Sequence, residues 1–165
     1  MVRDKLGEYL GIPYFSNTAK LKGDNVTVGK GTAKEIALKT IELANQQNIK
    51  LLDLTDQQIY NFQKKNHLGI DCSGLICNLL NLDNVRKTSA NMLTSPPLSS
   101  SVTTPKIGDL IRQKNGKHVL LIIDIVGDIV HYIHSSREGR GVRLGQFNLT
   151  DKTFKHDGFF RISSN

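Results

Sequence analysis

The chain has 165 residues, 38% of them hydrophobic and 22% charged, with a formal net charge of +7 and a pI near 9.5. That length suits one domain around one core and leaves too little for a second. No apolar run approaches the ~20 residues of a membrane-spanning helix, and Lys and Arg are scattered with no tract shaped as a groove-reading helix, so neither a membrane span nor a specific nucleic-acid partner is expected.

Residues 2–10 read as a short helix closed by Gly11 and Pro13, with charges at Arg3, Asp4, Lys5 and Glu8 that exclude the apolar centre of a secretory signal. The chain is therefore expected in the cytoplasm or delivered by a non-standard route. Residues 23–31 read as loop. Thr32 with Glu35 and Thr55 with Gln58 are capping boxes, which predict helices to about Asn48 and towards Asn66. After a short extended approach at residues 68–70, Leu75, Ile76, Leu79 and Leu80 repeat at helical spacing from Asp71 to about Leu82, and this third helix should be buried. Residues 95–105, rich in Ser, Thr and Pro, read as a surface loop. The remainder is β: strands at 109–113, 119–126, 129–135, 142–147 and 159–162, with a hairpin turn at Asn115-Gly116 and another at Gly127-Asp128. Helices first and an antiparallel sheet second make an α+β fold.

Cys72 and Cys77 lie about 140° apart around a helix, a poor geometry for a disulfide, and two cysteines alone make no structural zinc site. Both read as free thiols. Cys72 falls at a helix start, where the positive end of the helix dipole favours a thiolate nucleophile, whereas Cys77 sits deeper among leucines as a buried hydrophobe. A thiolate needs an imidazole. Of the five histidines, His118 is best placed, following the Asn115-Gly116 turn and opening the expected central strand. His131 and His134 point to opposite faces of the next strand, so only one can share the face of His118. A two-residue turn would put His131 on that face but opposite Asp124, which is six residues or roughly 20 Å from His118 and too far to orient it. A three-residue turn would pair Leu120 with His134 and bring His134 diagonally beside His118; the sequence reading therefore selects His134 and the longer turn. His67 and His156 read as structural.

The string Gly69-Ile70-Asp71-Cys72-Ser73-Gly74-Leu75-Ile76 resembles the nucleophile segment of NlpC/P60 cysteine peptidases. Pro105-Lys106-Ile107-Gly108-Asp109-Leu110 is similar to that family's approach to its catalytic hairpin, His118-Val119 to its histidine, Ile133-His134-Ser135 to its third catalytic position, and Phe159-Phe160-Arg161-Ile162 to its last strand. Tyr9-Leu10-Gly11-Ile12-Pro13-Tyr14 matches a family motif, but Tyr14 lies 58 residues before Cys72, and Tyr60 has the usual spacing of 12 without the motif context. Tyr14 is the favoured site tyrosine, with a helical insertion at about residues 23–66 that should border the cleft.

The resemblance implies a papain-like fold in which Cys72 attacks an amide carbonyl of a peptidoglycan stem peptide, His118 carries the proton and His134 orients His118. It also implies that Tyr14, Asp71 and Ser73 recognise the peptide's free amine. No cofactor or metal is called for, and a monomer is expected. Two other readings stay open: another papain-like cysteine enzyme, such as a deamidase, acyltransferase or delivered toxin, and a non-catalytic basic binding module.

Overall fold

The computed structural model describes residues 2–164. The helices come first: α1 (Val2–Tyr9), α2 (Ala33–Gln46), α3 (Asp56–Lys65), α4 (Cys72–Leu80) and the single turn α5 (Ala90–Leu93). The strands follow: β1 (Ser99–Val102), β2 (Leu110–Gln113), β3 (His118–Val126), β4 (Ile129–Ser136), β5 (Gly141–Asn148) and β6 (Phe159–Ile162). The class is α+β.

Local chemistry sets the helix starts. The Glu35 N–H donates to Thr32 Oγ1 at 3.1 Å and the Thr32 N–H returns to Glu35 Oε1 at 3.4 Å, and Thr55 and Gln58 repeat the exchange at 3.2 and 2.9 Å. Two of the donors orphaned at each helix start are thereby satisfied. At α4 the cap is Asp71, whose Oδ1 accepts the Gly74 N–H at 2.6 Å. This helix stops at Leu80, two residues short of the sequence expectation, because Asn81 turns left-handed with φ 53°.

The sheet has the order β1-β6-β2-β3-β4-β5, with every neighbouring pair antiparallel. Two expectations are corrected here. The stretch 95–105 is not all loop, because β1 pairs with β6 from Ser99–Ile162 to Val102–Phe159; an edge strand of small polar residues carries no apolar alternation to reveal it. The Gly127 turn has two residues and not three, since Val126 pairs with Ile129 and Asp124 with His131. The extra residue sits within the strand instead, where a bulge at Ile123 shifts the register to Ile122–Tyr132 and Leu121–Ile133. One step further this register puts His134 opposite Leu120 and diagonal to His118, the juxtaposition the longer turn was invoked to give. The Asn115-Gly116 turn is longer than a two-residue hairpin: Gln113 pairs with His118, and the four residues between them hold a 3₁₀ turn at Lys114–Gly116 with Lys114, Asn115 and Gly116 all at positive φ.

Apolar side chains cover both faces of the sheet. Leu110, Val119, Leu121 and Ile133 pack with the fully buried Leu75 and Ile76 of α4, while Ile111, Leu120, Ile122, Val130 and Phe147 form a second cluster on the opposite face. Phe154 closes that second cluster by stacking on Phe147 at 3.9 Å. Burial on both sides explains why Val119–Ile122 of β3 read as an apolar run rather than an alternation. The buried Asp109 carboxylate receives Arg161 Nε and Nη2, each at 2.8 Å, and the Lys106 N–H at 2.7 Å, which ties β6 to the entrance of β2. Among the described residues no helix is long and apolar enough to cross a membrane.

Candidate active site

The leader into α4 is fixed from three sides. Tyr14 and Ile70 form an isolated parallel bridge, the Asp71 N–H donates to the Gly29 carbonyl at 3.0 Å, and the buried Ser135 hydroxyl of β4 donates to the Ile70 carbonyl at 2.7 Å. Cys72 follows as the first residue of the helix, 7% exposed. Its thiol senses the backbone N–H of Val119, the residue after His118, near the start of β3.

His118 is buried at the opening of β3, and its Nε2 lies 3.0 Å from Nδ1 of His134, the two rings edge to face. His134 is steadied by the ring of Tyr132, two residues earlier on the same face, at 5.3 Å. With Nε2 of His118 so engaged, Nδ1 is the nitrogen left to serve a thiol. Burial pushes His118 down to about 4, reinforced by the neighbouring His134 and Lys114 and opposed by Glu138. Burial also lowers His134. Both imidazoles are therefore neutral at pH 7.

The thiol moves the other way. Burial, and next the Asp71 carboxylate, push Cys72 above its ordinary value, with the N–H groups of Val119 and Ser73 and the Lys30 ammonium offsetting only part. The sequence expectation of a thiolate at the helix start is corrected on this point: desolvation and an adjacent carboxylate outweigh the helix end, and the resting pair is a thiol and a neutral imidazole. Cys77, fully buried, is pushed up to about 11.

Tyr14 borders two adjoining cavities, one of about 290 Å³ containing Asp71, Cys72 and Ser73, the other of about 240 Å³ containing His118, with Lys117 also shared. Arg137 lies over the Tyr14 ring at 5.8 Å. Tyr60 sits on α3, outside both linings. The insertion meets the cleft differently from the sequence expectation: α2 and α3 line neither cavity, and Lys30, in the loop before α2, reaches in alone from residues 23–66.

Lys30 is the residue that sequence reasoning missed. Only 8% exposed, it donates to Asp71 Oδ1 at 2.9 Å, Ser73 Oγ at 2.5 Å and the Thr88 carbonyl at 3.1 Å. An ammonium has three protons, and here each has an acceptor. A lysine in a glycine-flanked loop carries no periodicity or cap signature, so only the tertiary fold reveals its role.

The remaining histidines lie elsewhere. His131 stands opposite Asp124 and Gln146, His67 packs on Phe15 at 5.1 Å, and His156 joins the Phe147, Phe154 and Phe159 cluster. Among the described residues no group of three or more His, Cys, Asp or Glu side chains is arranged to hold a metal ion.

Fold and site together define an α+β protein with a buried thiol at a helix start and two hydrogen-bonded imidazoles on adjacent strands. Comparison with known proteins returns no matching family model and no matching curated sequence.

Proposed function

We propose that this chain is a cysteine amidase with a papain-like fold of the NlpC/P60 type, acting on amide bonds of bacterial cell-wall peptides. The observation that supports this reading most is the 3.0 Å pairing of His118 with His134 through Nε2, which leaves Nδ1 of a neutral imidazole free at the opening of β3, one residue before Val119, whose backbone N–H bears on the Cys72 thiol. A polar strand-end histidine with only a packing role needs no second imidazole on it.

In this reading Cys72 Sγ attacks the carbonyl carbon as its proton passes to Nδ1 of His118, so proton transfer accompanies attack instead of preceding it. The Nε2–H of His118 donates to Nδ1 of His134, which fixes the tautomer and shares the positive charge that forms. The backbone N–H of Cys72, at the start of α4, is assigned as a donor to the developing oxyanion. Collapse breaks the C–N bond, the leaving amine takes the proton from His118, and water then cleaves the thioester by the same proton path in reverse.

Digestion of purified peptidoglycan followed by mass analysis tests the proposal. New stem-peptide fragments are expected with the parent protein and none with Cys72→Ala, whose melting temperature should be nearly unchanged. Intact peptidoglycan beside deamidated protein glutamines would replace the cell-wall amidase with a deamidase on the same fold.

A further inference from the structure

The cavity beside Cys72 holds an unusual balance of charge. One acid lines it, Asp71, against four cations, Lys30, Arg86, Lys87 and Lys117. Asp71 Oδ1 already accepts from Lys30, from the Ser73 hydroxyl at 3.1 Å and from the Gly74 N–H at 2.6 Å. Ser73 in turn accepts from Lys30. The carboxylate and hydroxyl that the sequence reading assigned to a peptide's free amine are thus occupied by an ammonium belonging to the chain itself. Among the described residues none of Arg86, Lys87 and Lys117 pairs with a carboxylate. Arg86 gives one N–H to the Gly23 carbonyl at 2.6 Å, and all three side chains are exposed at the rim.

A second ammonium entering this space would meet Lys30 at close range in a half-enclosed site, where like charges repel far more than in water. A carboxylate would meet a buried cation at the floor, three more at the rim and the N-terminal end of α4. We propose that Lys30 acts as a built-in replacement for the substrate's amine, so that this cavity selects a peptide whose end bears a carboxylate rather than a free amine. The inference rests on the amidase reading for its placement beside a nucleophile, but the binding preference stands on the cavity alone.

The experiment therefore measures binding and hydrolysis separately. Calorimetric titration of the Cys72→Ala protein uses one alanyl-glutamyl peptide in three forms, with a free amine, N-acetylated and N-succinylated. The succinyl form should bind tightest, by about fivefold or more over the free amine, the scale of one or two partly exposed ion pairs, and the margin should shrink with added salt. Lys87→Ala with Lys117→Ala, both at the surface, should reduce that margin without unfolding the protein. Lys30→Met should shift preference towards the free amine by uncovering Asp71; should it fail to fold, the rim variants still decide. Tightest binding of the free-amine form by the parent site, or binding of none of the three, overturns the proposal. Binding in the expected order with no cleavage by the Cys72 protein would sink the amidase reading alone.

Discussion

His134 and His131 are the same side chain three residues apart on one strand, and the proposed mechanism gives them different roles. His134 lies 3.0 Å from His118, whereas His131 faces Asp124 at the far side of the bulge. His134→Ala is expected to lower kcat by about 10²-fold, the scale of losing a positioned acid–base partner, while His131→Ala leaves it within a few-fold. Steady-state kinetics at one pH checks both, and circular dichroism confirms equal folding. Loss of activity in His131→Ala with His134→Ala unaffected would remove His134 from the mechanism. Part of the geometry at this scale was legible beforehand: the Asp71 cap and the apolar period behind it put Cys72 at a helix start, and the strand pattern put His118 at the opening of β3. The resting protonation state was not, because it depends on burial and on Asp71 sitting against the sulfur, quantities that exist only in the folded chain.

At the scale of elements, the Gly108-Asp109 pair serves architecture. The Asp109 side chain is 3% exposed and held by two Arg161 nitrogens, so it fixes β6 against β2, and it lines neither the Cys72 cavity nor the His118 cavity. Asp109→Ala would leave the guanidinium and the Lys106 N–H without their acceptor. A fall of several degrees in Tm is expected, because a buried acceptor is lost while the half-exposed Arg161 can turn to water. Well below the new Tm, kcat should stay near the parent value. Thermal unfolding and an activity assay at low temperature check the two halves; an activity loss without a stability loss would make Asp109 part of the site. Element starts were readable because capping is local, as Thr32, Thr55 and Asp71 show. Register was not, because the run Val119–Ile123 is apolar without alternation and Asp124 fits either register, so a bulge at Ile123 leaves no trace in the pattern. The longer turn and the bulge each add one residue between His118 and His134, which is why the juxtaposition came out right from the wrong cause.

For the whole molecule, the two buried imidazoles couple folding to pH. An unfolded histidine titrates near 6.5, whereas folded His118 has been brought down to about 4 and His134 moves the same way. Between those values the unfolded chain binds protons that the folded chain refuses, so stability is fully present above 6.5 and drains away as pH falls through the folded value. For His118 alone the difference between about 4 and 6.5 corresponds to roughly 3 kcal/mol, a large share of what a domain of this size commands. The groups facing the pair act in opposite senses, Glu138 raising both imidazoles and Lys114 lowering them, and the Lys114–Glu138 bridge at 3.3 Å leaves little net field there. Urea unfolding at steps from pH 7.5 to 4 should show the free energy of unfolding falling through this window, with hydrolysis lost on the same limb as His118 takes up its proton. His118→Gln should flatten much of the stability profile while abolishing activity, a pairing that general acid denaturation of surface carboxylates cannot produce. A parent profile flat from pH 6.5 to 4.5 would mean that the imidazoles open to water and charge freely, and the neutral thiol–imidazole starting state would have to be given up.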